Sequence, residues 1–208
     1  MNTEKKLNKI IIISSPSGAG KTTICKELLK ISKDINLSIS YTTRQKRVNE
    51  KDGKDYYFVT NKEFNNLKKN HFFIETAKVF NHYYGSPYKN IINSFKKNKN
   101  ILFDIDWQGA NKLRKKYSKE DIIDFFILPP NKKELRKRLN KRGRDNKKEI
   151  QMRLSLALSE ISHHNDYKYV LINDKLNETI SNIINIIKYN QLKSNLLNKV
   201  KKNLLSKK

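Results

Sequence analysis

The chain has 208 residues but only one cysteine, Cys25. An internal disulfide and a cysteine-rich metal site are both excluded. Nor is there a long apolar run. The longest stretches, such as Ile10-Ile11-Ile12-Ile13, are strand-sized and far short of the roughly 18 residues a membrane span needs. The first nine residues carry acid and no apolar segment after their charges, so no signal peptide is expected. Acid is scarce overall, with 20 Asp and Glu against 45 Lys and Arg, for a net charge of +25. That balance favours polyanionic partners, either nucleic acid or phosphorylated small molecules. The lysines do not gather into one stripe, and the 26 asparagines are spread likewise, so the charge reads mainly as compositional bias. With 37% hydrophobic residues, enough apolar material remains to build a core, and the length fits one or two domains. The four histidines lack metal-ligand spacing. Cys25 reads as packed, and the chain as cytoplasmic, with no membrane association.

Buried strands are expected at Ile10–Ser14, at 101–105, at 125–128 and at Tyr169–Ile172, each a short apolar run. Helical spacing follows at Lys21–Ile31, 108–116, 132–142, 148–161 and from 176 toward 197. A further short helix fits Asn61–Lys69. Strands alternating with helices predict an α/β fold with a parallel sheet. Residues 37–88 differ: they are rich in aromatics and turns and predict a small mixed or antiparallel sheet. The end beyond Lys199 is expected to fray.

Between the first strand and first helix lies Ser15-Pro16-Ser17-Gly18-Ala19-Gly20-Lys21-Thr22-Thr23. This nearly matches the phosphate-binding loop G-x-x-x-x-G-K-[ST]. Small residues let backbone N–H groups turn inward around an anion, and the following helix adds its positive end. The lysine reaches the terminal phosphates and the Thr22 hydroxyl binds Mg²⁺. Ser15 stands where the pattern has glycine, and serine tolerates positive φ poorly. The apolar strand before Trp107 delivers Asp104 and Asp106 at its end, where nucleotide sites form in open α/β sheets. Asp104 is expected near Mg²⁺ or near a second substrate. A plain helix cap is the alternative.

A wider set of motifs follows in order: Ser40-Tyr41-Thr42-Thr43-Arg44-x-x-Arg47, Glu50-x-x-Gly53-x-Asp55-Tyr56, Phe73-Ile74-Glu75, Tyr84-Gly85-Ser86, Asp104-Ile105-Asp106-x-Gln108-Gly109 and Arg138-Leu139-x-x-Arg142-Gly143. The chain resembles guanylate kinases over nearly its whole length. The resemblance implies a phosphate-loop core with helices on both faces of a parallel sheet (1–34, 89–134 and 155–208). It also implies a mixed-sheet GMP-binding region (35–88) and a helical lid (135–154). The implied reaction transfers the γ-phosphoryl group of ATP to GMP, and to dGMP, with Mg²⁺ and without a covalent intermediate.

The resemblance also implies site residues. Ser15 to Thr23 and Asn173 would hold ATP, though a helix cap serves Asn173 equally well. Arg44, Arg47, Tyr56 and Tyr84 would hold the GMP phosphate, with arginine suited to bidentate contact. Glu75 and Ser40 would read guanine, supported by Ser86, because a carboxylate accepts from N1–H and N2–H₂ together. Asp104 and Asp106 would organise GMP and, for Asp104 through water, the metal. Lys21, Arg44, Arg138 and Arg153 would neutralise charge during transfer, joined on helical spacing alone by Arg142, one turn from Arg138. An exposed basic helix is the alternative for the last three. Lys46 and Asn49 occupy positions that are often proline and glycine in the family. Two other classes compete. Some guanylate-kinase-like domains bind peptides and have lost catalysis, but a pure binder would not need Lys21, Thr22 and the lid arginines. A nucleic-acid-binding protein would suit the charge, but no such motif is present. Homo-oligomerisation stays open.

Overall fold

The computed structural model describes residues 8–140 and 147–200. Five parallel strands form the main sheet: β1 (Ile10–Ser14), β2 (Ile35–Leu37), β7 (Asn100–Asp104), β8 (Ile122–Leu128) and β9 (Tyr169–Ile172), in the order β2-β7-β1-β8-β9. β1 is central, and Ile10 to Ile13 are all fully buried. Ile11 and Ile13 pack with Leu28, Leu102, Phe125 and Ile183 on one face. Ile10 and Ile12 pack with Phe103, Ala110, Leu113 and Phe126 on the other. A strand covered on both faces has no polar side, so the run reads as unbroken isoleucine rather than an alternation.

The helices α1 (Lys21–Ile31), α2 (Asn61–Lys69), α3 (Tyr88–Lys96), α4 (Trp107–Lys116), α5 (Lys132–Asn140), α6 (Lys147–Ile161) and α7 (Leu176–Val200) surround the two sheets. α1 and α7 line one core face through Ile24, Leu28, Ile180 and Ile183, and α3 and α4 the other through Ile91, Ala110 and Leu113. This is the expected doubly covered parallel sheet. α2 is opened by a capping box in which Thr60 and Glu63 satisfy each other's backbone N–H groups.

The second sheet runs β4 (Tyr57–Phe58), β3 (Tyr41–Thr42), β6 (His82–Pro87), β5 (Phe73–Val79). β3 pairs in parallel with β4 and antiparallel with β6, and β5 pairs antiparallel with β6. Phe64 of α2, fully buried, stacks on Phe73 and Tyr83 to give this sheet its own small core. Three differences from expectation have physical causes. β8 begins at Ile122 because Asp124, mid-strand and buried, is paired with Arg114 at 2.7 Å and accepts from the Lys168 N–H. β2 lies inside the 35–88 range, yet its partner is β7, so the main sheet extends past residue 34. α3 was not expected; Pro87 opens it, and Ile91 is buried beneath it. No helix among the described residues is long and apolar enough to cross a membrane.

Candidate active site

β1 ends at Ser14 and α1 begins at Lys21, leaving six residues to turn the chain. Gly18 and Gly20 take φ of 93° and 100°. Both are also sterically confined. A Cβ on Gly18 would lie 2.9 Å from Leu135 of α5, and one on Gly20 would lie 2.5 Å from Asn173 Nδ2. Ser15, Lys46 and Asn49 are not among the residues with positive φ, so the three departures from the family pattern carry no backbone strain. Gly20 supplies no capping side chain, and the first turn of α1 has no acid. The loop is braced from outside. Asn173 Nδ2 donates to Ala19 O at 2.8 Å, and Arg138 reaches Ala19 O (3.4 Å) and Asn173 O (3.1 Å) while held by Glu134.

A cavity of about 400 Å³ runs from this loop to the second sheet. That is within the range of small-molecule sites. Ser15, Pro16, Ser17, Gly18, Gly20, Lys21 and Thr22 line one end. Ser40, Arg44, Arg47, Tyr56, Glu75 and Tyr84 line the other, with Asp104, Asp106 and Arg153 between. Ala19 is fully buried behind the loop. The structure does not bring Thr23, Ser86, Arg138 or Asn173 to the cavity wall. Arg142 lies outside the described residues.

Lys21 Nζ is 2.8 Å from Asp104 Oδ1 and donates to Ile105 O at 3.0 Å. Burial opposes its charge, but the Asp104 carboxylate outweighs burial and holds the lysine above its ordinary pKa. Asp106, not Asp104, is the helix cap: its Oδ1 accepts from the Gly109 N–H at 2.9 Å. Arg44 is held bidentately by Glu50, with contacts of 2.7 and 2.5 Å, and its guanidinium lies 4.9 Å from the Tyr56 ring centre. Burial pushes the Glu50 carboxyl up, but the hydrogen bonds and charges of Arg44 and Arg47 together outweigh it and keep the group below its usual value. Arg47 is anchored to Glu50 through its N–H.

Glu75 is 3% exposed. Ser86 Oγ donates to its Oε1 at 2.6 Å, and Ser86 and Ser40 share a hydrogen bond of 2.9 Å. Glu75 and Ser86 face each other across β5 and β6. A Cβ on Gly109 would lie 2.7 Å from Glu75 Oε2, so α4 leaves room for the carboxylate only because that residue is glycine. Burial pushes the Glu75 pKa up to about 7, helped by Asp106 and opposed by the Ser86 hydrogen bond.

Two residues of the site have no role in the sequence reading: Glu50, which appears there only as part of a motif, and Glu160. Glu50 orients both arginines. Glu160 of α6 accepts from the Ser17 N–H at 3.0 Å, and burial raises its pKa. Each follows from proximity in space; Glu50 at least lies three residues beyond Arg47. Trp107 stacks on His163 with ring centres 3.7 Å apart, beside the capping Asp106.

A glycine-turned anion loop at the end of a parallel strand, facing a second small sheet that carries arginines and a buried carboxylate, defines a phosphate-loop nucleotide kinase. A family model for guanylate kinase matches residues 7–190. The chain is 46% identical over 191 residues to the guanylate kinase of Rickettsia bellii, covering 92% of this chain and 99% of that protein. It is 46% identical over 197 residues to that of Blochmanniella floridana, covering 94% and 93%. The crystal structure of guanylate kinase from Anaplasma phagocytophilum superimposes with a TM-score of 0.78 at 36% identity, covering 98% of each chain. The chain belongs to the guanylate kinase family, whose reaction is phosphoryl transfer from ATP to GMP.

Proposed function

We propose that this chain transfers the γ-phosphoryl group of ATP to GMP, and to dGMP, in the cytoplasm, using the residues gathered in this one cavity. The observation that carries the reading is that the cavity joins an uncapped helix N-terminus at one end to the buried Glu75–Ser86–Ser40 chain at the other. The loop N–H groups and the first turn of α1 receive the ATP phosphates. At the far end Glu75 accepts from guanine N1–H and N2–H₂, and Ser40 donates to O6. Adenine would leave the buried carboxylate without partners, and such sites reject the wrong analogue by roughly 10⁴–10⁵. Arg44 and Arg47, set by Glu50, grip the GMP phosphate together with Tyr56 and Tyr84.

Transfer is in line: a GMP phosphate oxygen attacks the γ-phosphorus, and the ADP oxygen leaves. Positioning and charge neutralisation supply the catalysis. Lys21 moves from Asp104 to the phosphates, and Arg153 meets them from α6. Arg138 acts at one remove by bracing the loop with Asn173. Thr22 and, through water, Asp104 would hold Mg²⁺, which supplies charge neutralisation on the phosphates. Among the described residues no cluster of three or more acids, histidines or cysteines could hold a metal. That donor set fits an ion carried mainly by phosphate and water oxygens, with one or two protein ligands. The test is steady-state turnover with Mg-ATP and each of GMP, dGMP, AMP, UMP and CMP. Strong turnover confined to the guanine nucleotides is expected. Preference for another base would overturn the Glu75 assignment, and no turnover in folded protein would overturn the kinase reading.

A further inference from the structure

β5 is the outer strand of the second sheet, with β6 as its partner on the inner side. An outer strand presents carbonyls that need donors or water. Here α4 lies along that edge and supplies them from side chains. Gln108 Nε2 donates to Lys78 O at 3.1 Å, Lys112 Nζ donates to Thr76 O, and Lys116 Nζ donates to Ile74 O at 2.8 Å. The donors step by four along the helix, and the acceptors step by two back along the strand. The two repeats match: four helical residues rise about 6 Å, and two strand residues span about 6.6 Å. Glu75 lies between the second and third acceptors, and Gly109, against which its carboxylate packs, lies between the first and second donors. Lys112 also bonds Thr76 Oγ1 at 3.1 Å, and Lys116 also bonds the Tyr88 hydroxyl.

We propose that Gln108, Lys112 and Lys116 form a ladder of side-chain donors that replaces a neighbouring strand along β5 and so positions Glu75 for base recognition. This deepens the function proposed above and rests on Glu75 reading guanine. It also gives two lysines of a lysine-rich chain a definite task. The three are positioning residues: they act on the base through the strand that carries Glu75. A Lys→Met change keeps the aliphatic stem against the strand and removes only the donor.

The test is the pair Lys112→Met and Lys116→Met, alone and combined, with Lys112→Arg as the conservative variant. Loss of the charged donors in the double variant is expected to raise KM for GMP about tenfold, the loss equivalent to one charged hydrogen bond. KM for ATP should stay within about twofold. The ratio of kcat/KM for GMP over AMP should fall, and Lys112→Arg should keep it. Hydrogen exchange at β5 should quicken while β1 stays protected. An unchanged GMP KM in the double variant overturns the proposal, as does an equal rise in both KM values. If the double variant does not fold, each single change carries the same readout at smaller size. Glu75→Gln separates the two ideas. Should it leave base preference intact, the base-reading assignment fails. Should it abolish preference while the lysine variants do not alter it, the ladder alone fails.

Discussion

Glu75→Gln separates binding from stability at one position. Glu75 is buried, and its pKa is pushed up to about 7 from an ordinary 4.5. The folded state therefore holds this proton more tightly than the unfolded chain. Below about pH 4.5 both states are protonated and the group costs nothing. As pH rises from there to about 7, the unfolded chain ionises first, so stability is lost across that window and stays at its lower plateau above it. The shift is about 2.5 units, and at 1.36 kcal/mol per unit the plateau lies roughly 3 kcal/mol below the low-pH level. Glutamine mimics the protonated form, and its Oε1 can still accept from Ser86 Oγ. The variant should gain roughly 1 kcal/mol over the parent at pH 5 and roughly 3 kcal/mol at pH 8. For a chain of this size the gap in Tm should widen by roughly 5–10 °C across that range. Function should move the opposite way. An amide presents donors to the guanine donors, and losing two charge-assisted hydrogen bonds at about 1.5–3 kcal/mol each lowers kcat/KM for GMP by about 10²–10⁴. Thermal unfolding followed by circular dichroism from pH 5 to 8, for both proteins with no nucleotide present, is the assay. Two Tm curves that run parallel would refute the reasoning, because a fixed gap would mean that Glu75 titrates alike in both states.

Three further outcomes follow from the same geometry. Arg44→Lys should raise KM for GMP by about tenfold or more, because a single ammonium cannot hold Glu50 bidentately and face a phosphate as well; initial-rate kinetics at varied GMP checks it, and an unchanged KM would remove Arg44 from the phosphate site. Gly20→Ala should abolish detectable ATP binding by calorimetry, since the new Cβ falls 2.5 Å from Asn173 Nδ2 at a φ of 100°; wild-type affinity would show that the loop geometry is not what holds the phosphates. Glu160→Gln should lower KM for ATP several-fold, because it removes a negative charge hydrogen-bonded to the phosphate loop; a raised KM would instead make Glu160 a supporter of the bound state.

The core was legible wherever local pattern and burial agree. β1 and α1 fall within the bounds that apolar runs and spacing predict, while β9 keeps its expected bounds but is the edge of the sheet, with Val170 and Ile172 exposed rather than buried. β8 was truncated because a buried aspartate interrupts the apolar run, and nothing local shows that Arg114 will neutralise it. β2 carries no sequence expectation for a related reason. Three residues carry no period, and only pairing with β7 reveals their sheet. α2 is legible at its observed bounds, Asn61–Lys69, and its T-x-x-E capping signature agrees. α3 is not, because the proline that opens it lies among aromatic, turn-rich residues that suggest strands.

The site divides along the same line. The phosphate loop is nine consecutive residues, so sequence displays it whole. Glu75 and Ser86 face each other only because β5 and β6 form a hairpin, and their assignment came from family resemblance rather than from spacing. The loop's supports are more distant still: Asn173 reaches Ala19 across 154 residues, and Glu160 reaches Ser17 across 143. A hydrogen bond between a side chain and a remote backbone group leaves no period and needs no particular neighbour in the chain. What remained hidden was therefore less the groups that meet substrate than the groups that hold them in place. Arg138 illustrates the distinction. Its position suggests an arginine aimed at phosphates, yet its hydrogen bonds to Ala19 O, Asn173 O and Glu134 make it part of the loop's outer brace. Its removal should then raise KM for ATP more than it lowers kcat, whereas a cation acting on the transferred group would show the reverse.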